Sequence, residues 1–172
     1  MLSAEGGKTR EMRGRVAGLD DVPAIVRVVN RAYRVEEFFV SGNRTDEDEI
    51  RARMSRPNAC FLVVEHPALP MAGALAGAVY VEVSGTRGYF GMLSIDPDCQ
   101  RRGLGRELAR DAEMWCRAKG CLVLDIDVVN LRLELPAFYS ALGFSTRGTA
   151  PFPDAERLLR NAHMVLMSKP LA

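Results

Sequence analysis

The sequence lacks any grouping of side chains that would hold a metal. Its four cysteines, Cys60, Cys99, Cys116 and Cys121, form no CxxC pair and no Cys/His set at zinc spacing, so neither a metal nor a disulfide scaffold is expected and the thiols read as reduced and mostly buried. Long apolar runs are also missing. The longest, near Ala72 to Val81, is broken by Gly73 and Gly77, far short of a bilayer span. Residues 1–12 mix Gly, Lys, Glu and Arg, so no signal peptide or membrane anchor is expected and a cytoplasmic location follows by default. Charge of one sign is absent as well. A formal net charge of +1 supplies no global field for gripping nucleic acid or an acidic membrane. The basic group Arg101, Arg102, Arg106 and Arg110 lacks the interleaved aromatics of a nucleic-acid binder.

What is present is the composition of a soluble globular protein, 48% apolar and 26% charged over 172 residues. That length suits one well-buried domain. We place it at residues 12–172, with 1–11 expected to form a disordered tail. Met12 to Ala17 reads as a short edge strand. Asp20 or Asp21 then caps a helix with Pro23 in its first turn and an apolar stripe through Val22, Ile25, Val26, Val29, Ala32 and Tyr33. The loop Val35 to Val40 is rich in bulky groups, and Thr45 with Asp48 resembles a cap for a charged helix ending before Pro57. Cys60 to Glu65, Ala74 to Val83 and Gly88 to Asp96 form an antiparallel meander, with the first turn running through Pro67, Pro70 and Gly73. An amphipathic helix from Gly103 to Lys119 stops at Gly120, and a strand follows from Leu122 to Val129. A last helix carries Leu135, Phe138, Tyr139 and Leu142 and ends at Gly143, before strands near Phe144 to Arg147 and His163 to Ser168.

Three readings compete for the glycine loop at Arg101 to Arg106. A nucleotide P-loop needs Lys-Ser or Lys-Thr after its last glycine, and Arg106-Glu107 stands there. A dinucleotide fingerprint needs a small residue where Leu108 sits. What fits is a segment Gln100-Arg101-Arg102-Gly103-Leu104-Gly105 opening a helix. Unpaired N–H groups there, at the positive end of the helix dipole, can cradle a pyrophosphate. Gly103 and Gly105 permit close approach, and Arg101, Arg102 and Arg106 add positive charge. The loop taken alone serves equally as a tight strand-to-helix turn.

Two ordered motifs extend that reading. Gly91-Met92-Leu93-Ser94-Ile95-Asp96-Pro97 followed by Gln100 to Gly105 closely resembles the coenzyme motif of the GNAT superfamily of N-acetyltransferases. Downstream, Asn130 and then Phe138-Tyr139-Ser140-Ala141-Leu142-Gly143-Phe144 resemble that family's second signature. The resemblance spans about Met12 to Lys169. It implies an α/β (α+β) fold with a mixed, mostly antiparallel central sheet of about six to seven strands and about four flanking helices. It also implies acetyl-CoA as cosubstrate, no metal, and transfer of the acetyl group to a primary amine of a small molecule or polypeptide in a ternary complex.

The resemblance further implies roles for particular residues. Leu93, Ser94 and Ile95 would pair through their backbone with the pantetheine arm, and a main-chain N–H nearby would face the thioester oxygen. Asn130 would touch the pantetheine or fix the neighbouring chain, although the Asn-to-Tyr spacing exceeds the family's commonest. Tyr139 would be the general acid, since a phenol of pKa ~10 keeps its proton near neutral pH. For the base, Glu82, Asp125, Asp127 and His163 are candidates. Tyr33, Glu36, Phe38 and Phe39 would wall the acceptor site, or equally close the core or form the contact of a homodimer. Glu36 and Glu37 suit a cationic acceptor, whereas Arg34 and Arg44 suit a carboxylate. An alternative role is a non-catalytic acyl-CoA-binding regulatory module.

Overall fold

The computed structural model describes residues 12–66 and 73–172. The expected tail at 1–11 and the turn through Pro67 and Pro70 lie outside the described residues. In chain order the elements are β1 (Arg15–Val16), α1 (Val22–Ala32), α2 (Glu47–Met54), β2 (Ala59–Glu65), β3 (Leu75–Ser84), β4 (Arg87–Ile95), α3 (Leu104–Ala118), β5 (Val123–Val129), α4 (Glu134–Ala141), β6 (Ser145–Pro151) and β7 (His163–Pro170). The strands form a seven-stranded sheet in the order β1-β2-β3-β4-β5-β7-β6. Every pairing is antiparallel except β4 with β5.

A core lies on each face of the sheet. On one face α1 and α2 bury Val22, Ile25, Val28, Val29 and Ile50 against Phe61, Val63, Ala78 and Tyr80. On the other, Leu104, Leu108, Ala112 and Cys116 of α3 and Tyr139 of α4 meet Leu62, Val79, Phe90, Leu124 and Ile126. The apolar stripe of α1 centres on Val28 and leaves Val26 half-buried, a shift of part of a turn from the expected face. Gly77 lets α3 close on β3: a Cβ there would stand 2.9 Å from Leu108 and 2.8 Å from Ile95.

Two helix starts differ from expectation. Asp46, not Thr45, caps α2 by accepting from the Glu49 N–H; Thr45 is buried and donates its hydroxyl to Glu49 instead. The Asp21 carboxylate makes no cap on α1, because it accepts from the Gly18 N–H and pairs with Arg15. The first strand shrinks to two residues and β6 extends to Pro151. No helix among the described residues is long and apolar enough to cross a membrane.

Candidate active site

The site begins where the sheet parts. β4 and β5 run parallel and pair over only three residues each, Arg87 to Tyr89 with Val123 to Asp125. Beyond that point they separate. The cause is a bulge in β4: Ala78 pairs with Ser94 and Tyr80 with Gly91, so Met92 and Leu93 together oppose the single residue Val79. Met92 adopts φ +52° there, a left-handed conformation that β-strands do not otherwise use. The extra residue bends β4 away from β5 and leaves strand-edge N–H and C=O groups facing the gap.

That gap opens into a cavity of about 1090 Å³. At one end its wall includes Gln100, Arg101, Gly103, Leu104, Gly105 and Arg106. Asp96, buried at the end of β4, shapes this end by accepting from the Asp98 N–H at 2.9 Å and pairing with Arg31 of α1 at 3.0 Å. Arg101 and Gly103 both take positive φ, +64° and +79°. Gly103 caps α3 without a side chain, so the first amides of α3 remain free to meet an anion. A Cβ on Gly103 would meet nothing within 4 Å, and one on Gly105 nothing nearer than 3.8 Å. The protein leaves this space open, as a closely approaching pyrophosphate requires.

The expected coenzyme residues divide. Leu93, Ile95, Gln100, Arg101, Gly103, Leu104, Gly105 and Arg106 line the cavity. Ser94 is buried with its hydroxyl donating to the Met92 carbonyl, and Arg102 is exposed off the cavity wall. The Asn130 amide oxygen accepts from the His163 N–H, and the Asn130 N–H donates back to the His163 carbonyl, both at 2.8 to 2.9 Å. These bonds tie the end of β5 to the start of β7.

Tyr139 also lines the cavity. α4 buries its ring against Phe90, Phe138 and Phe144, and burial pushes the phenol pKa well above its ordinary value. It therefore holds its proton at any physiological pH.

The far end is built by the loop after α1, the strands β4 and β5, and the segment between β6 and β7. Tyr33 and Glu36 line it; Phe38 does not, lying exposed beside Arg160. Buried Glu36 pairs with Arg132 at 3.1 Å, and burial, outweighing Arg132 and Arg44, raises its pKa. Asp127 also opens onto the cavity. The residue is exposed, yet partial desolvation of its carboxyl raises the pKa against a weak hydrogen bond from the Tyr89 hydroxyl at 3.5 Å. Three of the candidate bases lie elsewhere. Glu82 accepts from Tyr80 at 2.5 Å and pairs with Arg56, and His163 is exposed at the start of β7; neither lines the cavity. Asp125 is engaged by Arg87 and Ser168.

Sequence reasoning did not single out Tyr89, Arg132 or Arg157. Alternation along β4 could have placed Tyr89 beside Gly91, but the register pairs it with Asp125 and only its hydroxyl reaches Asp127. No cluster of His, Cys, Asp and Glu suited to a metal occurs among the described residues.

Residues 28–144 match the acetyltransferase (GNAT) family. No curated protein sequence matches the chain. Solved structures share the fold at low identity. The ribosomal-protein-S18-alanine N-acetyltransferase from Escherichia coli superposes with a TM-score of 0.73 at 18% identity, covering 92% of this chain and 93% of that one. Nourseothricin acetyltransferase gives 0.71 at 19%, covering 93% and 98%. An N-acetyltransferase from Staphylococcus aureus gives 0.72 at 16%, covering 92% and 98%.

Proposed function

The chain belongs to the acetyltransferase (GNAT) family, and from that premise we propose that it carries acetyl from acetyl-CoA to a primary amine by direct attack within one cavity. The observation that carries this reading is that one cavity is shared by the open glycine loop, the parted strands, Tyr139 and Asp127. A donor and an acceptor can thus meet without a covalent enzyme intermediate.

Each step has a group suited to it. The free amides of α3 with Arg101 and Arg106 take the pyrophosphate. The unpaired edge of β4 at Leu93 and Ile95 takes the amide-bearing pantetheine arm as a sheet takes a strand. A main-chain N–H of the bulge at Met92 and Leu93 donates to the thioester oxygen as charge develops on it. The amine nitrogen attacks the carbonyl carbon; a C–N bond forms and the C–S bond breaks. An alkylammonium of pKa ~10.4 must first lose a proton. We assign that proton to Asp127, a carboxylate made more basic by partial desolvation. The departing sulfur takes the Tyr139 hydroxyl proton and leaves as the free thiol, and the tyrosinate is reprotonated by the second proton that the acylated nitrogen sheds.

Tyr139→Phe tests the assignment. Turnover should fall about 10²- to 10⁴-fold, the usual worth of a positioned acid, while calorimetric CoA affinity stays within a factor of a few. Full turnover in the variant would remove Tyr139 from the acid role. CoA binding by the native chain with no thiol release across a broad panel of amines would instead favour a regulatory module.

A further inference from the structure

We propose that the acceptor is a small molecule bearing both a primary amine and a carboxylate, its carboxylate held by Arg44 and its amine presented to Asp127. This rests on the acetyl-transfer reading above and adds the substrate class to it.

Internal pairing decides which charges remain for a ligand. At the acceptor end, Glu36 and Glu134 share Arg132 at 3.1 and 2.6 Å. One oxygen of Glu49 receives two hydrogen bonds from Arg53 at 3.0 Å, and the other receives the Thr45 hydroxyl. Asp154 faces Arg157 at 3.6 Å. Arg44 is left over. Its carboxylate contact is Glu49 at 4.0 Å, on the oxygen that Arg53 already occupies, a distance too long for a hydrogen bond. The guanidinium is half-buried, 5.3 Å from the centre of the Tyr33 ring, which holds its fork in place. Asp127 is the complementary remainder, without an ion pair among the described residues. Arg44, Tyr89 and Asp127 all line the same cavity.

The approach to Arg44 favours an anion. A second groove that Arg44 also lines carries Arg27 and Arg31 of α1 and Arg34 just after it, with Glu37 as its one carboxylate. Arg31 is held by Asp96 and Asp98; Arg27 and Arg34 have no ion pair among the described residues. At this rim Glu37 is exposed and arginines outnumber it.

The walls favour a small occupant. The loop after α1 and the segment before β7 both line the cavity and are bonded to each other. Arg157 donates to the Ser41 carbonyl at 2.7 and 2.9 Å and to the Asn43 carbonyl at 2.6 Å. Backbone bonds run from the Ser41 N–H to the Arg157 carbonyl and from the Leu159 N–H to the Phe39 carbonyl. Loops joined in this way deny an extended polypeptide the open channel it would need.

The test is thiol release from acetyl-CoA with matched amines: glycine, β-alanine, 4-aminobutyrate and the larger α-amino acids, each beside its amide, together with simple diamines and short peptides. At least one free amino acid should exceed its amide about tenfold or more in kcat/KM. Arg44→Gln should raise the KM for that acid about ten- to a hundredfold, the value of a charge-assisted hydrogen bond, with the KM for acetyl-CoA unchanged. Arg44→Lys should restore part of the loss. Preference for an amide, a diamine or a peptide would overturn the proposal and leave acetyl transfer standing, as would an Arg44→Gln effect equal on acid and amide. CoA binding without thiol release from any amine would defeat both together.

Discussion

Gly105 sits in the first turn of α3, where alanine would form helix more readily and where its methyl would meet no atom nearer than 3.8 Å. Gly105→Ala should therefore leave the unliganded chain as stable or stabilise it by about 0.5–1 kcal/mol. The same methyl would intrude on a pyrophosphate, so calorimetric CoA affinity should drop. A variant with lower stability and unchanged affinity would make the glycine a folding residue. Asp127 gives the second prediction at this scale. Its carboxyl pKa is raised, so below that value it is protonated and cannot receive the amine proton. The acidic limb of kcat/KM should follow Asp127, and Asp127→Asn should abolish most activity and the limb with it. These residues differed in how readable they were. The loop Gln100 to Gly105 and Tyr139 are legible because their neighbours in sequence are also their neighbours in space. Glu36 meets Arg132 across 96 residues and Tyr89 meets Asp127 across 38, and no local pattern announces such pairs.

At the scale of elements, periodicity and turn residues gave the order of helices and strands, while the departures came from side chains with two uses. Asp21 could have capped α1, but Arg15 and the Gly18 amide claim its carboxylate. The bulge in β4 was also hidden, since Met92 is not a residue that advertises positive φ. Its cost is tolerated because the flanking pairs with β3 hold it in place. The union of the loop after α1 with the segment before β7 yields a further prediction. Arg157→Ala removes three hydrogen bonds to main-chain carbonyls and should speed amide hydrogen exchange at Ser41 and Leu159 while leaving β2 and β3 protected. Equal acceleration throughout the sheet would mean global destabilisation, not a local opening.

The whole molecule responds to acid through several carboxylates at once. Asp21 is held below its ordinary pKa mainly by Arg15. Burial would raise Asp125 and Glu113, but Arg87 and Ser168 for the first, and Lys169 and Arg117 for the second, bring both below normal. Depressed groups stabilise the fold above their unfolded values and lose that contribution as pH falls through the folded ones. Glu36 and Asp127 have the opposite sign, their ionisation costing stability as pH rises through their raised values. Urea midpoints should thus fall steeply below about pH 4. Asp125→Asn should flatten that slope; an unaltered acid midpoint would show that the Asp125 network contributes nothing.

The sheet is two antiparallel blocks, β1 to β4 and β5-β7-β6, joined through three residues on each side. Where they part, two strand edges face each other inside the molecule, and edges are what proteins ordinarily conceal from one another. A chain with its cosubstrate seated would have the β4 edge covered. A chain stripped of it would present an interior template that an extended segment of a neighbouring copy could enter, so aggregation on storage should be suppressed by CoA at concentrations that merely saturate the site.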